Sequence, residues 1–109
     1  MSGSDDASKI EHVVNLTFNP KAEVEYEDAL EWYFQRNPRV ADRFEAAMDQ
    51  AIAAIKAHPT MFPLCDHIHR FVLVGRFPYI IVYRVDGNET RVIAVAHAKR
   101  RPAYWSNRK

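Results

Sequence analysis

Tyr79-Ile80-Ile81-Val82-Tyr83-Arg84-Val85, then Asp86-Gly87-Asn88, then Glu89-Thr90-Arg91-Val92-Ile93-Ala94-Val95-Ala96-His97 is the stretch that decides the fold. Two runs rich in β-branched and aromatic residues flank an Asp-Gly pair, the pattern of a tight hairpin. Strands are predicted over 79–85 and 90–97. Upstream, residues 68–74 form a third run that ends at Gly75, so the second half reads as a β-meander. Working outward, Val13-Val14-Asn15-Leu16-Thr17-Phe18 alternates and predicts a first strand. Asn19-Pro20 and Asn37-Pro38 each read as an N-cap followed by proline at the first helical position, where a missing N–H costs nothing. Helical spacing of Ala22, Tyr26, Ala29, Leu30 and Tyr33 gives a helix to about Arg36. The stripe Val40, Ala41, Phe44, Ala47, Met48, Ala51, Ile52, Ile55 gives a second from Pro38 to about Ala57, ending before Pro59.

Two helices with almost nothing between them fold back as an antiparallel hairpin. The expected class is α+β, one domain over residues 13–109 in the order β-αα-βββ, with residues 1–12 as a flexible arm. The sheet is expected to be antiparallel. The hairpin should cover one face, leaving the other to carry the arginines.

Charge is unevenly spread. Residues 66–109 hold nine Lys/Arg against three acids, net +6, while residues 1–65 hold six against eleven, net −5. Such polarity points the basic half at a polyanion or at a protein that handles one. One cysteine, Cys65, excludes an intramolecular disulfide. The first residues lack a basic segment leading into an apolar core, and no apolar run approaches the roughly 18 residues of a membrane helix. The expectation is a cytoplasmic protein without membrane contact.

His97, Lys99, Arg100, Arg101 and Tyr104 are the sharpest chemical group. Phosphodiester cleavage in RNA needs a base, an acid and cations for the phosphate; His and Tyr suit the first two, Arg the third. Arg70 and Arg84 join them if the strand register places all of these on one face. The competing reading is a solvated basic tail with a capping histidine. Cys65, Asp66, His67 and His69 are zinc-type ligands close together, but no further ligand with recognisable spacing appears, and no metal is expected. Trp32-Tyr33-Phe34 reads as core and rim packing rather than a platform for bases. With glycine only at 3, 75 and 87 there is no phosphate-cradling loop.

Over about Val13 to Trp105 the chain resembles the RelE/ParE superfamily, toxins of bacterial type II toxin–antitoxin modules often called plasmid stabilisation proteins. The resemblance is carried by Ala29-Leu30-Glu31-Trp32-Tyr33, Pro59 with Phe62-Pro63, Arg70, Arg76-Phe77-Pro78-Tyr79, Val82-Tyr83-Arg84, and Val95-Ala96-His97-Ala98-Lys99-Arg100-Arg101-Pro102 with Trp105. It implies the β-αα-βββ fold, no cofactor, a cognate antitoxin in a hetero-oligomer, and arrest of growth. RelE-like members cut mRNA on the ribosome; here that implies His97, Arg70, Arg84, Arg100 and Tyr104 as catalytic residues. ParE-like members poison DNA gyrase; here that implies Lys99, Arg100, Arg101 and Trp105 as target contacts. His97 through Pro102 resembles the ParE-type ending, with Lys99 in place of an arginine and Arg101 in place of an acid, and the resemblance leans to ParE. A non-toxic RNA-binding or scaffold module is the rival from another class, since a fold does not set a function.

Overall fold

The computed structural model describes residues 15–109, so the expected arm and Val13-Val14 of the first strand lie outside the described residues. The elements are β1 (Asn15–Phe18), α1 (Pro20–Arg36), α2 (Pro38–Ala57), β2 (His69–Leu73), β3 (Tyr79–Asp86) and β4 (Glu89–His97). Both helix starts follow the local chemistry. Asn19 accepts from the Lys21 N–H at 2.8 Å, and Asn37 from the Arg39 N–H at 3.0 Å, each ahead of its proline. Gly87, at the first central position of the β3–β4 turn, has φ +63°, which suits glycine there.

The four strands lie in the order β1-β4-β3-β2. The sheet is mixed, which corrects the antiparallel expectation: β1 pairs with β4 in parallel, Asn15 opposite Glu89 through Phe18 opposite Val92. The course of the chain explains it. The Asn19 N–H bonds to the Val92 carbonyl, Glu25 meets Val95, and Tyr33 reaches Tyr79, so α1 continues along β4 in the direction β1 began. Helix α2 brings the chain back, β2 starts at the end where β1 started, and two reversals leave β4 parallel to β1.

The hairpin packs on one sheet face. Phe44, Met48, Ala51 and Ile55 of α2 and Ala22 and Ala29 of α1 meet Val72, Ile81, Tyr83, Val92 and Val95. Phe44 is fully buried at the centre of an aromatic group, with Tyr33, Phe77 and Tyr79 centroids 5.1 to 5.4 Å away. The segment 59–64 pins hairpin to sheet: the Tyr83 hydroxyl donates to the Pro59 carbonyl at 2.7 Å, and Arg70 to that of Phe62 at 2.6 Å. The same stretch shields the β2 edge, because the Phe71 N–H donates to Pro63 and the Cys65 N–H to the His69 carbonyl.

The opposite face is not left free. Residues 102–107 form a run of turns that lays Trp105 on Val82, Ile93, Ala94 and Ala96, with only 7% of Trp105 exposed. Trp105 also meets the buried His69 ring edge-on, centroids 4.9 Å apart. An indole hides a large apolar area, so one residue closes much of this face.

Candidate functional site

A β-bulge decides which side chains can meet. Val82 pairs with Ala94 and Tyr83 with Val92, leaving Ile93 as an extra residue on β4. Two residues against one shifts the alternation. Arg91 and Ile93 therefore face the Trp105 side, whereas Val95 and His97 face the helices. The β2–β3 register separates the other arginines: Arg70 stands opposite Tyr83 on the helix side, and Arg84 stands opposite His69 on the other. Arg84 pairs with Arg91 and Tyr79 with His97, so Arg84 and His97 lie roughly 17 Å apart at a strand rise of ~3.3 Å per residue. The expectation that Arg70, Arg84, His97 and Arg100 share one uncovered surface is thus corrected. Arg70 and Arg84 border a hollow at the β2 edge with His67; His97 and Arg100 border a different groove.

That second groove, about 460 Å³, runs between α1 and the ends of β3 and β4. Asp28, Trp32 and Tyr33 come from α1; Tyr79, His97, Arg100 and Tyr104 come from the sheet and the segment after it. His97 lies edge-on to Tyr79 at 5.0 Å. Its Nδ1 accepts the Lys99 amide proton at 3.0 Å, which places the proton of the neutral ring on Nε2. Tyr33 enters the core, while Trp32 and Phe34 stand about half exposed at its rim. The Arg36 guanidinium covers the Trp32 ring at 3.6 Å.

The groove ends at a charged knot centred on Glu25. Beyond Val92 the edge of β4 has lost β1 as a neighbour, because Pro20 has begun the helix. Side chains take the place of a strand: Glu25 Oε1 accepts the Val95 N–H at 3.0 Å, and Arg108 Nη1 donates to the Ile93 carbonyl at 3.1 Å. Arg108 also grips the carboxylate with both nitrogens, at 2.9 and 3.0 Å, and the Tyr104 hydroxyl donates to it at 2.6 Å. Arg100 Nη1 lies 3.7 Å away. Burial alone would raise the carboxyl pKa of Glu25, but hydrogen bonds from Arg108, Tyr104 and Val95, with the Arg108 charge, together lower it. Burial, then the bond to Glu25, pushes the Tyr104 phenol well above its ordinary range, so it stays a proton donor. Arg100 stacks on one side of that ring at 3.8 Å, and Arg108 lies 5.0 Å from its centre.

Of the expected site residues, His97, Arg100 and Tyr104 come together; Arg70 and Arg84 do not join them. Lys99 and Arg101 are exposed, whereas Trp105, expected as a target contact, is buried core. Glu25 and Arg108 were not anticipated. The signal for Glu25 was present: it falls between Ala22 and Ala29 on the inward stripe of α1, where an unpaired carboxylate is rare. Asp66 accepts from the Ile68 and His69 amides and the His69 ring. Among the described residues no group of three or more His, Cys, Asp or Glu is placed to hold a metal ion. Nor, among them, is any helix long and apolar enough to cross a membrane.

Comparison with known proteins agrees with this architecture. A solved structure titled "Chromosomal ParDE TA system from P. aeruginosa" is similar with a TM-score of 0.69 and 16% identity, covering 81% of this chain and 99% of that one. "The structure of YoeB dimer from Staphylococcus aureus" is similar with a TM-score of 0.54 and 17% identity, covering 77% and 95%. At such identities the likeness shows the fold. Comparison with curated proteins gives no significant match. The family described as the ParE toxin of the type II toxin–antitoxin system, parDE, matches residues 16–102, and the chain, which shares its sequence pattern over most of its length, belongs to that family.

Proposed function

We propose that this chain arrests growth by binding DNA gyrase and is neutralised by a cognate antitoxin in a cytoplasmic hetero-oligomer. The dispersal of the would-be nuclease residues carries the reading. Phosphodiester cleavage needs base, acid and phosphate-holding cations within hydrogen-bond reach of one phosphate. Here Arg70 is turned to the Phe62 carbonyl, Arg84 sits at the far end of β3, and the Tyr104 proton is committed to Glu25. What surrounds His97 is instead a binding surface: an aromatic groove flanked by the exposed cations Lys99, Arg100 and Arg101. Family membership supports the same direction.

Two assays on the purified protein test it: supercoiling by gyrase, and cleavage of mRNA on programmed ribosomes. Inhibited supercoiling with intact mRNA is expected. His97→Gln should weaken inhibition modestly, by less than about tenfold. Cut mRNA with unaffected supercoiling, and a loss of orders of magnitude in His97→Gln, would sink the proposal in favour of a RelE-like nuclease. Normal growth on induction at good soluble expression would favour a non-toxic module.

A further inference from the structure

Three consecutive cations leave the groove end of β4, and only the middle one has a fixed direction. Arg100 is 56% exposed, yet its guanidinium lies over the Tyr104 ring and beside Glu25. Lys99 and Arg101 make no ion pair among the described residues. An exposed arginine ordinarily samples many rotamers, and ordering it opposes binding. Arg100 has been ordered in advance. The order comes from below: Tyr104 is held by its hydroxyl on Glu25, Glu25 by Arg108 and the Val95 amide, and Arg100 by the ring and the carboxylate together.

A second, independent observation lies in the backbone. Ala103 has φ +61°, a left-handed conformation that L-residues avoid, and among the described residues it is the only non-glycine with positive φ. This strained residue is the turn that brings Tyr104 back under Arg100. Such strain persists only where surrounding contacts over-determine it, and it clusters at functional positions.

We propose that Glu25 is a positioning residue of the target-binding surface: from inside the fold it preorganises Arg100, through Tyr104, to meet an acidic group on the target. This rests on the gyrase-binding reading above and assigns unequal roles to the three cations. Arg100 supplies the directed contact, while Lys99 and Arg101 supply diffuse attraction, which acts mainly on the rate of encounter and fades with salt.

The test is a double-mutant cycle on the affinity for gyrase. Glu25→Gln keeps an acceptor for the Val95 amide while removing the charge. Glu25→Gln and Arg100→Ala should each weaken binding by about tenfold, and the double variant should be no weaker than Arg100→Ala alone. A merely structural role would instead multiply the two losses, and that result would overturn the proposal. NMR of the arginine side chains supplies a readout that needs no target. The Arg100 Nε–H should be shifted by the Tyr104 ring in the wild type and move to the free-arginine position in Glu25→Gln; an unmoved signal also overturns the positioning. A wild type that leaves gyrase untouched overturns the gyrase reading instead, a different signature from an additive cycle.

Discussion

The two faces of this sheet are covered in different ways. On the helix side, a periodic stripe from α2 and small residues from α1 bury Ile81, Tyr83, Val92 and Val95 through many interlocking contacts. On the other side one indole, Trp105, does most of the covering. The segment carrying it is tied down by polar bonds: Arg108 and Tyr104 to Glu25, and Asn19 Nδ2 to the Lys109 carbonyl at 2.9 Å. The first arrangement is redundant, so no single contact stands alone. The second hangs on a few groups, and the expected outcome is that it releases before the first melts.

Phe44 is fully buried at the centre of the aromatic group, and Phe44→Ala should cost about 3–5 kcal/mol, the sum of lost transfer energy and a cavity. Chemical denaturation should show one transition shifted as a whole. Trp105→Ala should cost less, about 2–3 kcal/mol, because a terminal segment relaxes into the space more readily than a core does. Hydrogen exchange should rise in residues 98–109 and at the β4 edge while β2 and β3 stay protected; uniform loss across the sheet would mean that the two faces are not separable.

Acid sharpens the same contrast. Burial would raise the Asp66 carboxyl pKa, but the Ile68 and His69 amides and the His69 imidazole bring it down from 3.8 to about 2. The pKa of Glu25 is also lowered. A carboxylate with a depressed folded pKa stabilises fully above its unfolded value and loses that contribution as pH falls through the folded one. Both groups serve the Trp105 side, Asp66 by holding the His69 ring against the indole. Titration from pH 5 to pH 2 should therefore loosen the C-terminal segment, followed by Trp105 fluorescence, before circular dichroism reports loss of helix. The smallest expected effect has the opposite sign. Ala103→Gly removes a left-handed alanine and should leave stability unchanged or raise it by up to about 1 kcal/mol in thermal unfolding, whereas glycine for alanine in an ordinary turn lowers it.

Much of the fold was legible because its determinants are local. An asparagine before a proline offers a side-chain acceptor to the first orphan amides, so Asn19-Pro20 and Asn37-Pro38 announced both helix starts. The α2 stripe appears with a helical period because one face of a regular helix touches one surface. Asp86-Gly87 placed the turn, although β3 and β4 each run one residue further into it than composition shows. The site was less legible. His97, Arg100 and Tyr104 were recognised by residue type, and they do converge. A common face for Arg70 and Arg84 depends on the strand register, which alternation within each strand does not fix. The extra residue at Ile93 and the pairing of Arg70 with Tyr83 rather than Arg84 have no signature in side-chain type.

The sequence by itself determined which segments become helix or strand, where they begin, and that the basic residues gather in the second half. Each of those follows from dihedral preference, capping or periodicity within a few neighbours. Only the tertiary structure decided that β1 runs parallel to β4, that Trp105 closes the second face, and that Glu25 gathers Arg108, Tyr104 and Arg100. Those outcomes depend on which remote groups approach one another. A lone carboxylate on the inward side of a helix is costly to bury, and its partners came from the far end of the chain.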